Sequence, residues 1–174
     1  MDSDRRMRVE NRVSEVAIAD IALPSMREFI TYWESIRADR FAPSWQAFDM
    51  LQLRPASIPG LIVVDVLRDP LKFLVRYWGT AHVAAKGYEK TGMLVGEPPN
   101  YRGDAAFDEY RKVVETKRPV AIKGFVLFPE YDHAPFDIFI VRLPLSDDGT
   151  EVHNIVSLAL WENASGRKPW PAFP

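Results

Sequence analysis

The sequence predicts an α+β fold, a five-stranded antiparallel sheet with helices covering one face. Three observations carry that expectation. Text rich in β-branched residues, or alternating with period two, falls in two clusters, 61–78 and 120–161. Helical periods lie before the first cluster and between the two. Strands gathered in hairpins at both ends argue against a doubly wound parallel sheet, which would alternate strand with helix.

Residues 1–24 read as an N-terminal extension. Arg5, Arg6, Arg8 and Arg12 are balanced by Asp2, Asp4, Glu10 and Glu15, so the segment is not a nucleic-acid arm. Its sparse apolar points, Met7, Val13, Val16 and Ile18, suit either a disordered tail or a helix packed on a partner. The first helix is expected over 25–38, because Phe29, Tyr32, Trp33 and Ile36 fall at i, i+3, i+4 and i+7. Ser25 with Glu28 three residues on would form a capping box. Pro43, Pro55 and Pro59 then keep the chain irregular, with Trp45, Phe48 and Leu51 to pin it down.

Leu61–Leu67 is the first strand, turned by Arg68-Asp69-Pro70. In the second, Phe73, Val75 and Tyr77 alternate with Leu74, Arg76 and Trp78, and Gly79 stops it. Thr80–Lys86 is a short helix with Gly87 as its C-terminal cap. A longer helix spans 104–117, with Phe107, Tyr110, Val113 and Val114 on its apolar face and Pro119 barring continuation. Strands at 120–128, 136–145 and 152–161 close the core domain, and Asp148-Gly149 turns the last pair. The domain therefore covers 25–162, followed by an irregular proline-rich tail over 163–174.

Composition narrows the function. The chain has 174 residues, and its 22 basic and 24 acidic side chains leave a net charge of −2, so no global basic field draws nucleic acid or anionic lipid. Cysteine is absent. That removes disulfides, thiolate nucleophiles, cysteine-rich zinc sites and any cysteinyl flavin adduct. No signal peptide or stretch of about 20 apolar residues is present, so a cytoplasmic location and no membrane partner are expected. The glycines of Gly87 and Gly92 have P-loop spacing, but Met93-Leu94 stands where Lys and Ser/Thr are needed. No catalytic constellation appears, so an enzyme is not expected.

The order of elements resembles a PAS domain, five antiparallel strands with short helices and one longer helix between the second and third. Local text agrees. Arg76-Tyr77-Trp78-Gly79-Thr80-Ala81 resembles the second-strand ending of a PAS subfamily common in alphaproteobacteria. Gly87-Tyr88-Glu89-Lys90-Thr91-Gly92 resembles its Gly-Arg-Asp-Leu-Thr-Gly segment, with Lys90 in place of the usual leucine. Pro43-Ser44 and Phe48-Asp49, then Arg118-Pro119-Val120, then 143–149, match further segments in the right order. The resemblance covers about residues 26–162 and implies a bacterial sensor, with helices and inner sheet face enclosing a cup for haem, flavin, a metabolite or only side chains.

Phe73, Tyr77, Phe125, Phe139 and Trp161 lie on strands that should line the cup. They are either plain core or the wall of a ligand pocket, with Tyr77 and Trp161 as polar handles. His82, on the short helix beside the cup, is either a haem ligand or a surface or hydrogen-bonded histidine. His133 and His153 read as exposed. A buried Arg76 or Arg142 would point to an anionic ligand. Two functions follow. One is a stand-alone sensory and signalling module that binds a small molecule and acts through a signalling protein or a dimer. The other is a ligand-free interaction module. A homodimer is expected through the segment before Pro24 or the 25–38 helix, because Leu74 and Trp78 would leave apolar area on the outer sheet face. The cofactor, if any, is not specified by these residues.

Overall fold

A computed structural model describes residues 12–99, 104–127 and 135–163. The chain has an α+β, PAS-like fold. The expected strands are present as β2 (Leu61–Leu67), β3 (Lys72–Trp78), β4 (Val120–Leu127), β5 (Pro135–Leu145) and β6 (Asn154–Asn163). A further strand, β1 (Arg12–Val16), makes the sheet six-stranded, in the order β1-β4-β5-β6-β2-β3 with every pair antiparallel. Over residues 12–16 β1 corrects the reading of this segment as tail or helix, while residues 1–11 lie outside the described residues. Val13 packs against the core on one face of the sheet and Val16 against the core on the other, and Glu15 meets Lys112 in an ion pair, so the short segment adds to the edge of β4.

The helices are α1 (Pro24–Arg37), α2 (Thr80–Lys86) and α3 (Ala105–Thr116). The capping box at Ser25 does not form. Leu23 is the N-cap, without a side-chain cap, and Pro24 supplies a preset φ in the first turn. Glu28 instead pairs with Arg54 across the surface. Gly87 caps α2 in the left-handed region at φ 76°, as glycine readily does.

Both sheet faces are covered. α2 and α3 lie over one face, on Val64, Phe73, Val75, Ile138, Ile140, Ile155 and Trp161. α1 and the 42–58 segment lie over the other, where Met26, Phe29, Ile30 and Trp33 are buried against Val63, Val141, Leu143, Val156 and Leu158. The indole N–H of Trp33 donates to Pro144 O at 2.8 Å, so this large side chain is buried without an orphaned donor.

One irregularity decides which residues face the cup. Val64 pairs with Val75, but Val63 pairs with Tyr77, so Arg76 is an extra residue in β3. Such a bulge reverses the alternation beyond it. Phe73 and Val75 therefore share their face with Trp78, while Tyr77 turns to the α1 side. The apolar outer patch expected from Leu74 and Trp78 does not exist. Trp78 belongs to the inner core, and Leu74 is half-buried and bridged to Leu94. Residues 92–95 run along the edge of β3, with hydrogen bonds from Val75 N to Met93 O and from Gly92 N to Val75 O.

Candidate functional site: the cavity under the second helix

The site begins where β3 becomes α2. Gly79 N donates to Leu61 O at 2.9 Å, and a Cβ at Gly79 would stand 2.1 Å from Pro59 O. Only glycine lets the chain pass so close, and this passage seats α2 directly over the inner face. His82, in the first turn of α2, is fully buried. Its Nε2 lies 2.9 Å from Gly60 O, which assigns the proton to Nε2. Its ring packs against two indoles, tilted on Trp78 at 4.7 Å and edge-on to Trp161 at 4.6 Å. Burial and then the positive charge of Lys86 hold the imidazole well below its ordinary pKa, so it is neutral. Nδ1 is then a buried lone pair without a hydrogen-bond partner.

Lys86 is one helical turn further, on the same face of α2. Its ammonium lies 4.4 Å from the Trp78 ring centroid and 5.7 Å from that of Trp161, a cation over two π faces. Tyr88 stacks on Trp78 at 5.8 Å, and the Trp78 indole donates to Tyr88 O at 3.1 Å. Lys90 is buried, and its ammonium donates to Glu97 O at 2.6 Å and to Pro99 O at 2.7 Å. Burial pulls this ammonium below its ordinary pKa.

The far wall is built by β5 and α3. Arg142 on β5 is 3% exposed. Its Nε and Nη2 donate to Glu109 at 2.9 and 2.6 Å, its Nη1 donates to Ser157 at 3.0 Å, and it lies 4.0 Å from the Tyr110 ring centroid. Glu109 and Tyr110 both belong to α3, so this arginine ties the helix to the sheet. Between these walls is a cavity, bounded also by Ile62, Val95, Gly96, Ala106, Ile138 and Ile140. The centres of water-sized spheres sweep about 50 Å³ of it, and the whole hollow, with the part open to solvent, is about 540 Å³.

The structure brings two of the six expected site residues, His82 and Trp161, to the cavity wall. Phe73 lies on the same face but deeper, fully buried against Phe107 and Tyr110. Tyr77 and Phe139 face the other side of the sheet. The Tyr77 hydroxyl donates to Ile58 O at 3.4 Å, and Phe139 sits under Lys123. Phe125 lies on β4, but its side chain falls outside the described residues, as does His133. His153 is half-exposed, and its Nδ1 accepts from Asp147 N at 3.2 Å. Arg76 is half-exposed and pairs with Asp65 at 2.7 Å, whereas Arg142 is the buried arginine.

Sequence reasoning missed Lys86, Lys90, Trp78 and Tyr110. Two signals were present. Lys86 stands i+4 from His82, and Lys90 replaces an apolar residue of the resembled motif. Among the described residues no group of three or more His, Asp or Glu could hold a metal ion, and no helix is long and apolar enough to cross a membrane.

No family model matches the chain, and no curated protein matches it. Several solved structures are similar, among them two LOV domains. A light-oxygen-voltage domain studied with a flavin analogue aligns over 60% of this chain and 78% of its own, at 15% identity and a TM-score of 0.43. A fungal LOV domain photoreceptor aligns over 75% of this chain and 88% of its own, at 18% identity and a TM-score of 0.41. Likeness at this level transfers no site residue from either protein to this chain.

Proposed function

We propose that this chain is a PAS-type sensory module that binds a small molecule in the cavity between α2, α3 and the sheet. The observation that carries the reading is a lined hollow whose wall combines aromatic rings, three cationic side chains and one buried, unpartnered acceptor, His82 Nδ1. A wall made only to close a core has no use for such a group, since a buried polar atom without a partner costs about 1–3 kcal/mol. A few convergent polar groups on an apolar wall are what a ligand site presents.

The same geometry speaks against the larger cofactors. A volume of about 50 Å³ takes a few waters or a molecule of similar size. It does not take the three fused rings of a flavin, and the chain has no cysteine to form an adduct with one. Haem does not suit His82 either, because Nε2 is committed to Gly60 O and the ring is buried against two indoles. Binding, not catalysis, is the proposed role. Output passes to a signalling protein or to a second copy of the chain. The subfamily segments at 76–81 and 87–92 support membership in the alphaproteobacterial type of PAS protein, acting in the cytoplasm.

Thermal-shift and tryptophan-fluorescence screening of small acids, amines and neutral rings tests the reading. A binder is expected to raise Tm and to change the emission of Trp78 and Trp161. Light scattering with and without that binder reports whether the homodimer forms and responds. If nothing in the panel shifts either signal, and native mass spectra show the bare chain, the ligand-free interaction module replaces this reading. Leu51, 81% exposed on the outer segment, would then be its contact point.

A further inference from the structure

We propose that residues 97–99 form a flap over this cavity, hinged at Gly96 and clasped by the buried ammonium of Lys90. The inference concerns how the cavity of the binding reading is entered, and its test needs no ligand.

Position comes first. Glu97, Pro98 and Pro99 are exposed, whereas Lys90, Val95 and Gly96 line the cavity. The segment therefore stands between the hollow and solvent. Its N-terminal part is fixed. Gly92 N donates to Val75 O at 2.8 Å, Val75 N to Met93 O at 2.9 Å and Val95 N to Phe73 O at 2.9 Å, all along the edge of β3. Met93 N donates to Lys90 O at 3.0 Å, and the Trp78 indole holds Tyr88 O.

Beyond Gly96 this anchorage ends. Glu97 N reaches Leu94 O only at 3.4 Å. Among the described residues, the short hydrogen bonds that fasten 97–99 come from Lys90, to Glu97 O at 2.6 Å and Pro99 O at 2.7 Å. Gly96 stands between the fixed and the clasped parts at φ 91°, which side chains larger than hydrogen rarely allow. A Cβ there would meet nothing within 4 Å, so it is the backbone and not crowding that asks for glycine.

Energetics supply the third element. Burying an ammonium costs stability, and an apolar side chain of similar length would fill the same space without that cost. The two carbonyls belong to exposed residues, which water can serve as well. The bonds are therefore not needed to satisfy the carbonyls; they hold the flap down. Opening exchanges them for bonds to water, so the closed and open states differ by little more than the modest net worth of the pair.

Hydrogen exchange and fluorine NMR on the whole chain test the clasp. In the unaltered protein, Glu97 N–H should exchange through a local opening that low urea does not speed, with Val95 N–H the better protected. Lys90→Met keeps the stem and removes the donors. It should speed Glu97 exchange about tenfold or more and leave Val95 within about twofold. With 5-fluorotryptophan incorporated and the Trp78 signal assigned through Trp78→Phe, the shift of that signal between H2O and D2O should grow in Lys90→Met, because water then reaches an indole of the cavity wall. If Glu97 and Val95 accelerate together, Gly96 is not the hinge and the inference falls. If Glu97 accelerates and Trp78 does not respond, Lys90 only ties a loop and the flap gates nothing. Where Lys90→Met fails to fold, the unaltered protein decides: Glu97 exchange that follows global unfolding in urea overturns the flap, and urea-independent exchange beside a protected Val95 supports it. A screening panel in which nothing binds removes the binding reading and leaves these measurements standing.

Discussion

The two faces of the sheet are built from the same strands and finished differently. The face under α1 is closed by apolar side chains, and the buried Trp33 indole N–H is satisfied by Pro144 O. The face under α2 and α3 holds a buried ion pair, a buried lysine and a buried neutral histidine around a hollow. Buried polar groups cost stability unless they are paired, so a chain optimised only for folding would finish both faces the first way. On the proposed reading, the polar groups of the α2 and α3 face are the cost of a site.

The largest effect should come from the α1 face. Trp33→Ala removes a nearly fully buried indole and orphans Pro144 O, and should lower stability by about 3–5 kcal/mol in urea unfolding. Ligand affinity of the folded fraction should be unchanged. A matching loss of affinity would mean that the two faces are not separable.

Next comes the ion pair on the opposite face. Arg142→Met removes the guanidinium that pairs with the nearly buried Glu109, and should cost about 3 kcal/mol. Adding Glu109→Leu should recover most of that loss, because the pair replaced together by apolar groups removes both desolvation costs. If the double variant is no more stable than the single one, the pair is not the tie that holds α3 to the sheet.

The element order of this fold was legible in the sequence, and the facing of its strands was not. Hydrophobic contrast sets strand facing, and here both faces are apolar. In Ile138-Phe139-Ile140-Val141 every residue is apolar, so alternation cannot say that Ile138 and Ile140 face the cavity and Phe139 does not. The bulge at Arg76 added a second failure, exchanging Tyr77 for Trp78, and no glycine or proline marks it. α1 was legible because its outward face is charged, although its buried stripe is centred on Met26, Phe29, Ile30 and Trp33, with Tyr32 and Ile36 at its margin. His82 was legible as a candidate because it sits on a helix with a known place beside the cup. Lys86 and Lys90 were not, since lysines on a short helix and in a turn normally point to water, and only packing under 88–99 buries Lys90.

The smallest effect tests the histidine itself. Folding holds the His82 pKa well below its ordinary 6.5, through burial and then the charge of Lys86, with Arg142 acting the same way. The unfolded chain therefore takes up a proton near pH 6.5 that the folded chain refuses. By linkage, stability rises with pH wherever the unfolded state binds more protons. The contribution is fully present above about pH 6.5 and is lost as pH falls below it, at about 1.4 kcal/mol per pH unit for one proton. Glu89 and Asp148 are also held below their ordinary values, but those start at 4.5 and 3.8, so they act at lower pH. Urea unfolding at pH 7.5, 6.5 and 5.5 should thus show a loss of about 1 kcal/mol across the last step and little across the first. His82→Phe keeps the ring contacts with Trp78 and Trp161 and removes the proton, and should flatten the profile. If the variant keeps the slope of the parent, the imidazole is not the group that titrates.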